Sequence, residues 1–331
     1  MALRTLTTQT KRQTAVRIAL ALALLALLGL SILTALGFVG RLWWIFDLCS
    51  HFRAQYAALL MLCLAVLIVL KRWRWAVVTS VALLLNLLPI AKLYWPQASS
   101  VNPQRPTLDL VVFNVNFGNT KYSDVANYLV QADVDVIVIV EATPRMRLAL
   151  EAALPDYQVV GRERTDAFGM LVFSRVPISS HETLYLADTE LPAIAVSLDK
   201  NGAHFSLLGL HTMPPVDAKH AAMRDDMMQA AAAWATRTET AIIAGDFNAT
   251  PWSFVFDDLL DDGNLHNSQL GNGVQATWPG GLWPMSIPID HCVHDKTLRT
   301  ARRFVGPALG SDHRPVHLRL GFAARAATRD P

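Results

Sequence analysis

The chain has 331 residues, 52% of them apolar, with 29 Lys and Arg against 27 Asp and Glu, and a mean hydropathy of +0.29. That composition excludes a purely soluble protein, and the apolar excess lies before residue 96. Three cysteines, two of them in or beside apolar runs, exclude a fold held by disulfides; about 220 residues remain to bury an ordinary core.

In chain order, residues 18–39 come first, a nearly unbroken run of Leu, Ala, Ile and Gly without charge. About twenty such residues in a helix cross roughly 30 Å of hydrocarbon. Runs at 54–70 and 76–94 repeat the pattern, so residues 1–95 are predicted to form a membrane domain of three transmembrane helices. A signal peptide fits the first run less well, because its apolar core would be shorter and no cleavage site precedes a polar mature chain.

Cations near the span ends set the orientation. Arg4, Lys11, Arg12 and Arg17 precede the first run and Lys71, Arg72 and Arg74 crowd the second loop, whereas the first loop has Arg41 and Arg53 beside Asp47. The N-terminus is therefore expected in the cytoplasm and everything after Trp95 outside it, as in a multi-pass protein of a bacterial inner membrane. Trp43, Trp44, Trp73, Trp75, Tyr94 and Trp95 stand where headgroup-level aromatics belong. His51 and Arg53 are either ordinary interfacial residues or contacts to a headgroup or to the later domain.

Residues 96–106, with Ser99, Ser100, Asn102 and Pro103, read as a polar linker. Beyond it strands and helices alternate. Leu110–Asn116 and Val134–Val140 are buried strands; Ser123–Ala132 and Pro144–Leu154 are amphipathic helices. Gly169–Ser174, Ala193–Leu198 and His204–Leu210 follow as strands, Asp217–Arg237 as a long helix, and Thr240–Ala244 as another buried strand. Two packed, mostly antiparallel sheets with helices outside fit these signals. No internal repeat is visible, and residues 323–331 read as a disordered tail.

The chemistry gathers at strand ends. Gly245-Asp246-Phe247-Asn248 closes the strand at 240–244; alone, such a turn equally reads as a helix cap. Gly310-Ser311-Asp312-His313 precedes the strand Val316–Leu320, Asp290 follows Ile289, Asn114 ends the first strand and Glu141 follows the second. In these motifs and their order the chain resembles the endonuclease/exonuclease/phosphatase superfamily, over roughly residues 107–322. Its members include Mg²⁺-dependent nucleases, sphingomyelinases and inositol-phosphate phosphatases. The resemblance implies an α/β fold, a four-layer α/β sandwich, and a Mg²⁺ cofactor, with Mn²⁺ as a possible substitute.

By resemblance, Glu141 is the principal metal ligand, Asn114 belongs to the metal and phosphate shell, and Asp312 can reach the metal. Carboxylate oxygens suit Mg²⁺, which usually keeps several waters and takes one or two protein carboxylates. Asp246 then orients or deprotonates the attacking water, and Asn248 donates to a phosphate oxygen. His313, held by Asp290, is favoured as a cation for phosphorus-centre charge or proton transfer. His211 resembles the histidine that many phosphatases and sphingomyelinases set against the phosphate. Asn116 and Asn119 either contact phosphate or satisfy backbone, and Trp278–Met285 is either a substrate rim, a membrane-touching loop or edge packing.

From residue 103 onward 19 Lys and Arg face 26 Asp and Glu, so this domain is acidic, near −7. A nuclease that tracks the phosphate backbone needs a basic surface. A lipid or lipid-linked phosphate ester at the outer face of the membrane is therefore the expected substrate, ahead of nucleic acid, with an extracytoplasmic nuclease and an inactive phosphate-ligand receptor as alternatives. The bilayer is the expected partner, and nothing marks a protein partner.

Overall fold

The computed structural model describes residues 2–95 and 101–324, with side chains from residue 11 onward except that of Trp283. Positions 96–100 of the predicted linker and 325–331 of the predicted tail lie outside the described residues. The chain divides into two compact units, Met1–Lys92 and Leu93–Pro331.

The first unit is helical: α1 (Ala2–Gly37), α2 (Trp44–Ser50), α3 (Arg53–Val69) and α4 (Trp73–Lys92). Lys11–Gly37 and α4 are long and apolar enough to cross a membrane. The predicted middle run is α3, which has 17 residues and counts toward a span only together with α2, from which it bends by 59°. Some polar groups inside this unit pair across its helices. Asn86 of α4 donates Nδ2 to Thr34 Oγ1 of α1 at 2.8 Å, and Arg53 donates Nη2 to Gly37 O at 3.1 Å while its guanidinium lies 4.2 Å from the centre of the Phe38 ring. His51 and Arg53 are thus buried within the unit, with Arg53 closing the carbonyl end of α1, rather than lying open to an interface.

The second unit comprises β1 (Thr107–Asn114), α5 (Tyr122–Ala132), β2 (Val136–Val140), α6 (Pro144–Ala153), β3 (Gln158–Arg162), β4 (Met170–Ser174), β5 (Ile178–Tyr185) and β6 (Pro192–Lys200). It continues with β7 (Ala203–His211), α7 (Ala218–Thr236), β8 (Ala241–Asp246), α8 (Phe254–Gly263), β9 (Leu265–Asn267), β10 (Asp290–Asp295), β11 (Leu298–Val305) and β12 (Val316–Phe322). Local chemistry sets the helix starts. Thr143 caps α6 by accepting from Met146 N with Pro144 in the first turn, and Asp217 caps α7 by accepting from His220 N.

The strands form two six-stranded sheets, β11-β12-β1-β2-β4-β3 and β5-β6-β7-β8-β10-β9. Each has one parallel pair, β1 with β2 and β7 with β8, and is otherwise antiparallel. Alternation along each strand assigns the layers. Leu108, Leu110 and Val112 join Val136, Val138, Leu207, Ile242 and Ala244 in the core between the sheets, whereas Val111, Phe113, Ile137 and Ile139 pack on α5 and α6. Leu208, Leu210 and Ile243 pack on α7 and α8. The result is the expected four-layer sandwich, with mixed sheets.

Five elements, β3, β5, α8, β9 and β11, are not among those read from the sequence, although α8 buries Val255, Phe256 and Leu259 on one face. Edge strand β5, Ile-Ser-Ser-His-Glu-Thr-Leu-Tyr, is mostly exposed, so its pairing with β6 carries no apolar signature. The structure also contains a repeat of topology that the sequence hides: in each sheet a β-α-β parallel pair is followed by a helix and an antiparallel strand pair, and is flanked on its other edge by a hairpin, β11-β12 from the end of the domain in the first sheet and β5-β6 in the second.

Candidate active site

The stripe that fills the core between the sheets changes character at one end. Beyond Leu110 and Val112 on β1 comes Asn114, beyond Leu207 on β7 comes His211, beyond Ile242 and Ala244 on β8 comes Asp246, and next to Cys292 on β10 comes Asp290. Period-two geometry directs all four side chains between the sheets. On the second sheet His211 is opposite Asp246, and Asp246 is opposite Asp290, so three strands present one row. Gly245 makes that row possible, because a Cβ there would stand 1.8 Å from Leu210 O.

Asn114 ties the sheets together. Its Nδ2 lies 2.9 Å from Glu141 Oε1, 3.0 Å from Asp246 Oδ2 and 3.4 Å from His313 Nε2. His313 Nδ1 pairs with Asp290 Oδ2 at 2.9 Å, and its Nε2 stands 3.7 Å from Asp246 Oδ2, as does Nε2 of His211. Asn248 donates its backbone N–H to Asp246 Oδ1 at 2.9 Å and its Nδ2 to Thr212 O at 2.9 Å. Glu141, Asn116 and Asn248 have φ of 60°, 61° and 46°, left-handed backbone that non-glycine residues adopt at a cost of order 1 kcal/mol or more.

Burial and neighbouring charge divide these groups electrically. Burial pushes the Asp246 carboxyl up, and the charge of Asp290 pushes it further; burial likewise raises Glu141 against the hydrogen bonds of Asn114 and Phe117. Burial lowers His211, leaving a neutral imidazole beside Asp246. For His313 burial pulls the same way, but Asp290 and Asp246 outweigh it and lift the ring to about 10. Asp312, raised by burial, is carried below the usual carboxylate range by Asn116 and by the charge of His313.

Two acid clusters are candidates for a cation. Asp246, Asp290 and His313 place ligand atoms within 4.8 Å of one another. In that cluster, however, Nδ1 of the ring is committed to Asp290, and Nε2 already stands 3.7 Å from Asp246 Oδ2. Glu141 and Asp312 form the other. Glu141 Oε2 accepts from Phe117 N at 2.9 Å, and Asp312 accepts from Asn116 Nδ2 at 2.6 Å and from Trp278 Nε1 at 2.9 Å. Every donor to these two acids is neutral, and among the described residues neither makes an ion pair with Lys or Arg. Two hard-oxygen acids positioned by neutral N–H donors, with the His313 ring as the cation that acts on both, fit a divalent cation such as Mg²⁺.

All eight predicted residues thus fall at one end of the sandwich. Linked by the distances above are Asn114, Glu141, His211, Asp246, Asn248, Asp290 and His313, and Asp312 joins them through Asn116, whose N–H donates to Asn114 Oδ1 at 3.0 Å. Asn116 therefore organises the acids, whereas Asn119 is spent on backbone, accepting from Lys121 N and donating to Leu309 O. Sequence reasoning missed several supports. Ser311 donates to Asn114 O at 2.7 Å and accepts from His313 N, and Thr277 Oγ1 accepts from Asp290 N at 3.2 Å. Buried Arg303 donates Nη2 to Asp290 O at 3.2 Å and Nη1 to Gln275 Oε1. The Ser311-x-His313 spacing was a usable signal; Thr277 and Arg303 gave none.

Residues 111–313 match the family model described as Endonuclease/Exonuclease/phosphatase family, and the chain belongs to that family. Its members are hydrolases of phosphoester bonds. Among solved structures, the endonuclease/exonuclease/phosphatase from Bacteroides vulgatus is similar with a TM-score of 0.56 and 17% identity, covering 66% of this chain and 100% of that one. D. rerio TDP2 complexed with single-strand DNA product gives 0.55 at 16% identity, over 65% of this chain and 99% of that one. Sphingomyelinase C from Streptomyces griseocarneus gives 0.50 at 20%, over 66% and 100%. These identities speak for the fold alone. No curated protein matches the chain.

Proposed function

We propose that this protein is a membrane-anchored, metal-dependent phosphoesterase acting on a lipid or lipid-linked phosphate ester. The observation that carries the reading is the position of Asn114, whose one amide nitrogen reaches Glu141, Asp246 and the His313 ring at 2.9–3.4 Å, bringing acid, base and imidazolium around a single point.

Glu141, with Asp312 and the side-chain oxygen of Asn114, would hold the divalent ion, Mg²⁺ with Mn²⁺ as substitute. Bound there, the ion neutralises phosphate charge. Asp246, with its raised carboxyl, accepts the proton of the attacking water and aims it. His313 donates hydrogen-bonding charge to the phosphoryl oxygens, and Asp290 keeps it cationic and in one orientation. Asn248 uses one amide hydrogen on Thr212 O and carries a second for a phosphate oxygen. His211, neutral, completes the wall beside Asp246.

Two things support lipid over nucleic acid: the acidic balance of the domain and the apolar helices on the same chain, whose linker holds the domain near headgroups. The N-terminus is assigned to the cytoplasm and the phosphoesterase domain to the outer side of a bacterial inner membrane. The purified full chain, assayed with and without EDTA on phospholipids, inositol phosphates and DNA, tests this reading. Mg²⁺-dependent release of a phosphorylated headgroup or phosphate, lost in His313→Ala, is the expected result; hydrolysis of DNA with no lipid hydrolysis overturns it.

A further inference from the structure

Eight large apolar side chains are exposed among the described residues of 101–324. Val130, Leu148, Tyr185 and Phe304 stand singly on α5, α6, β5 and β11, which is ordinary for a protein surface. The other four share one address: Phe117 (50% exposed), Val216 (71%), Leu282 (62%) and Met285 (52%) all lie on the three loops that leave the candidate site.

Those loops are tied to the site's own residues. Phe117 donates its backbone N–H to Glu141, and its neighbour Asn116 holds Asp312. Val216 follows the segment whose Thr212 carbonyl anchors Asn248. Leu282 and Met285 lie in the loop whose Trp278 Nε1 and Gly280 N–H bind the side chain and backbone of Asp312, at 2.9 and 2.6 Å. The tips of these loops carry no charge, and the flanking Lys121 and Asp217 stand where two of them meet the following helices. Asn116–Asn119, Thr212–Val216 and Trp278–Ser286 contain no Asp, Glu, Lys, Arg or His, in a domain near −7 overall.

We propose that these three loops form a docking rim that seats on the interfacial region of a bilayer of zwitterionic lipid and delivers its headgroups to the site. The inference rests on the lipid-ester reading above and names the surface that reading needs. An uncharged rim offers no cations to a nucleic acid backbone or an anionic membrane, whereas apolar tips partition into the headgroup boundary of a neutral one. Val101 bridges Ala323 and Asn102 N–H donates to Phe322 O, so the residues 96–100 that precede them span at most about 20 Å when extended, and the domain stays within reach of the bilayer that its apolar helices are suited to cross.

The test uses the full chain in phosphatidylcholine nanodiscs. A nitroxide on Leu282→Cys, in a Cys49→Ala, Cys63→Ala background with Cys292 buried, is compared with one on Val130→Cys. Docking predicts that the label at 282 relaxes with oxygen and is shielded from a water-soluble nickel chelate, while the label at 130 behaves oppositely. Leu282→Asp combined with Met285→Asp should cut lipid hydrolysis by at least about tenfold and leave hydrolysis of water-soluble bis(p-nitrophenyl) phosphate unchanged. A label at 282 as open to nickel as that at 130 overturns the proposal, and so does shielding without oxygen exposure, the mark of a protein partner. An immersed label on an enzyme that hydrolyses no lipid keeps the rim and removes the lipid substrate; lipid hydrolysis indifferent to both aspartates removes the rim alone.

Discussion

The two sheets of the sandwich share a topology and differ in what they place at the same row. In the first, the register aligns Asn114 with Val140 and Val140 with Met170; in the second, His211 with Asp246 and Asp246 with Asp290. One row is an amide and two apolar side chains that continue the core, the other an imidazole and two carboxylates. Strand ends therefore do not by themselves make a site. The second row tolerates two fully buried acids because the His313 cation and the Asn114 amide, both supplied from the first sheet's side, are within 2.9–3.7 Å of them. Val140 stands opposite Asn114 but faces no cation in its row, and Met170 beside it fills the space left by Gly209.

If the second row carries the chemistry, Asp246→Asn and His313→Ala should each lower kcat by about 10³- to 10⁴-fold, with a smaller change in KM, measured on a water-soluble phosphodiester. Equal losses in both would mean that the two act as one unit. The converse change, Val140→Asp, copies the acid into the first row without a cation beside it. It should cost about 3–5 kcal/mol in denaturant unfolding, because the new charge is buried and unpaired. A smaller cost would show that the two rows are less different than their partners imply.

Glu141 is the acid that the first sheet's β2 brings to the point of convergence. Glu141→Gln should weaken Mg²⁺ binding by calorimetry about 10²-fold while raising the unfolding temperature of the metal-free protein slightly, since a half-buried carboxyl whose burial outweighs its hydrogen bonds and the charge of His313 is removed. Loss of both binding and stability would make Glu141 a structural residue.

The pH dependence of His313 sharpens the contrast further. Its folded pKa of about 10 lies above the ordinary 6.5, so the ring's contribution to stability is complete below about pH 6.5 and disappears as pH rises through 10. In the metal-free protein its ring proton resonances should remain those of an imidazolium at pH 8. In Asp290→Asn they should turn neutral at least about one to two units lower.

Both the buried strands and the residues at their ends were legible in the sequence, for a physical reason. Val136–Val140 and Ala241–Ala244 are covered on both faces, and an uninterrupted apolar run that stops at a polar residue marks where the cover ends. Edge strands β3, β5 and β11 were not legible as a set, since one open face or edge removes the pattern. The topological repeat was hidden because Val140 and Met170 share no chemistry with Asp246 and Asp290. Within the site, groups that act through side chains were visible; Phe117, acting through its N–H, and Thr277, acting on a backbone N–H, carry no residue-type signature.

Arg303 was invisible for another reason: on sequence it belongs with Arg299 and Arg302 as the solvated face of a strand, yet it is buried. A bulge between Thr300 and Arg302 shifts the register of β11, and with it which side chains face inward. Burial lowers the guanidinium to about 10, still charged at neutral pH, and places that charge against the backbone carbonyl of Asp290. The cation therefore fixes the backbone of the residue whose carboxylate holds His313. Removing it touches no substrate, so its effect should be the smallest of those argued here. Arg303→Met should lower kcat by about tenfold with KM nearly unchanged, and Arg303→Lys should restore part of the loss. If Met and Lys lose activity equally and in step with stability, Arg303 serves packing and the second row stands without it.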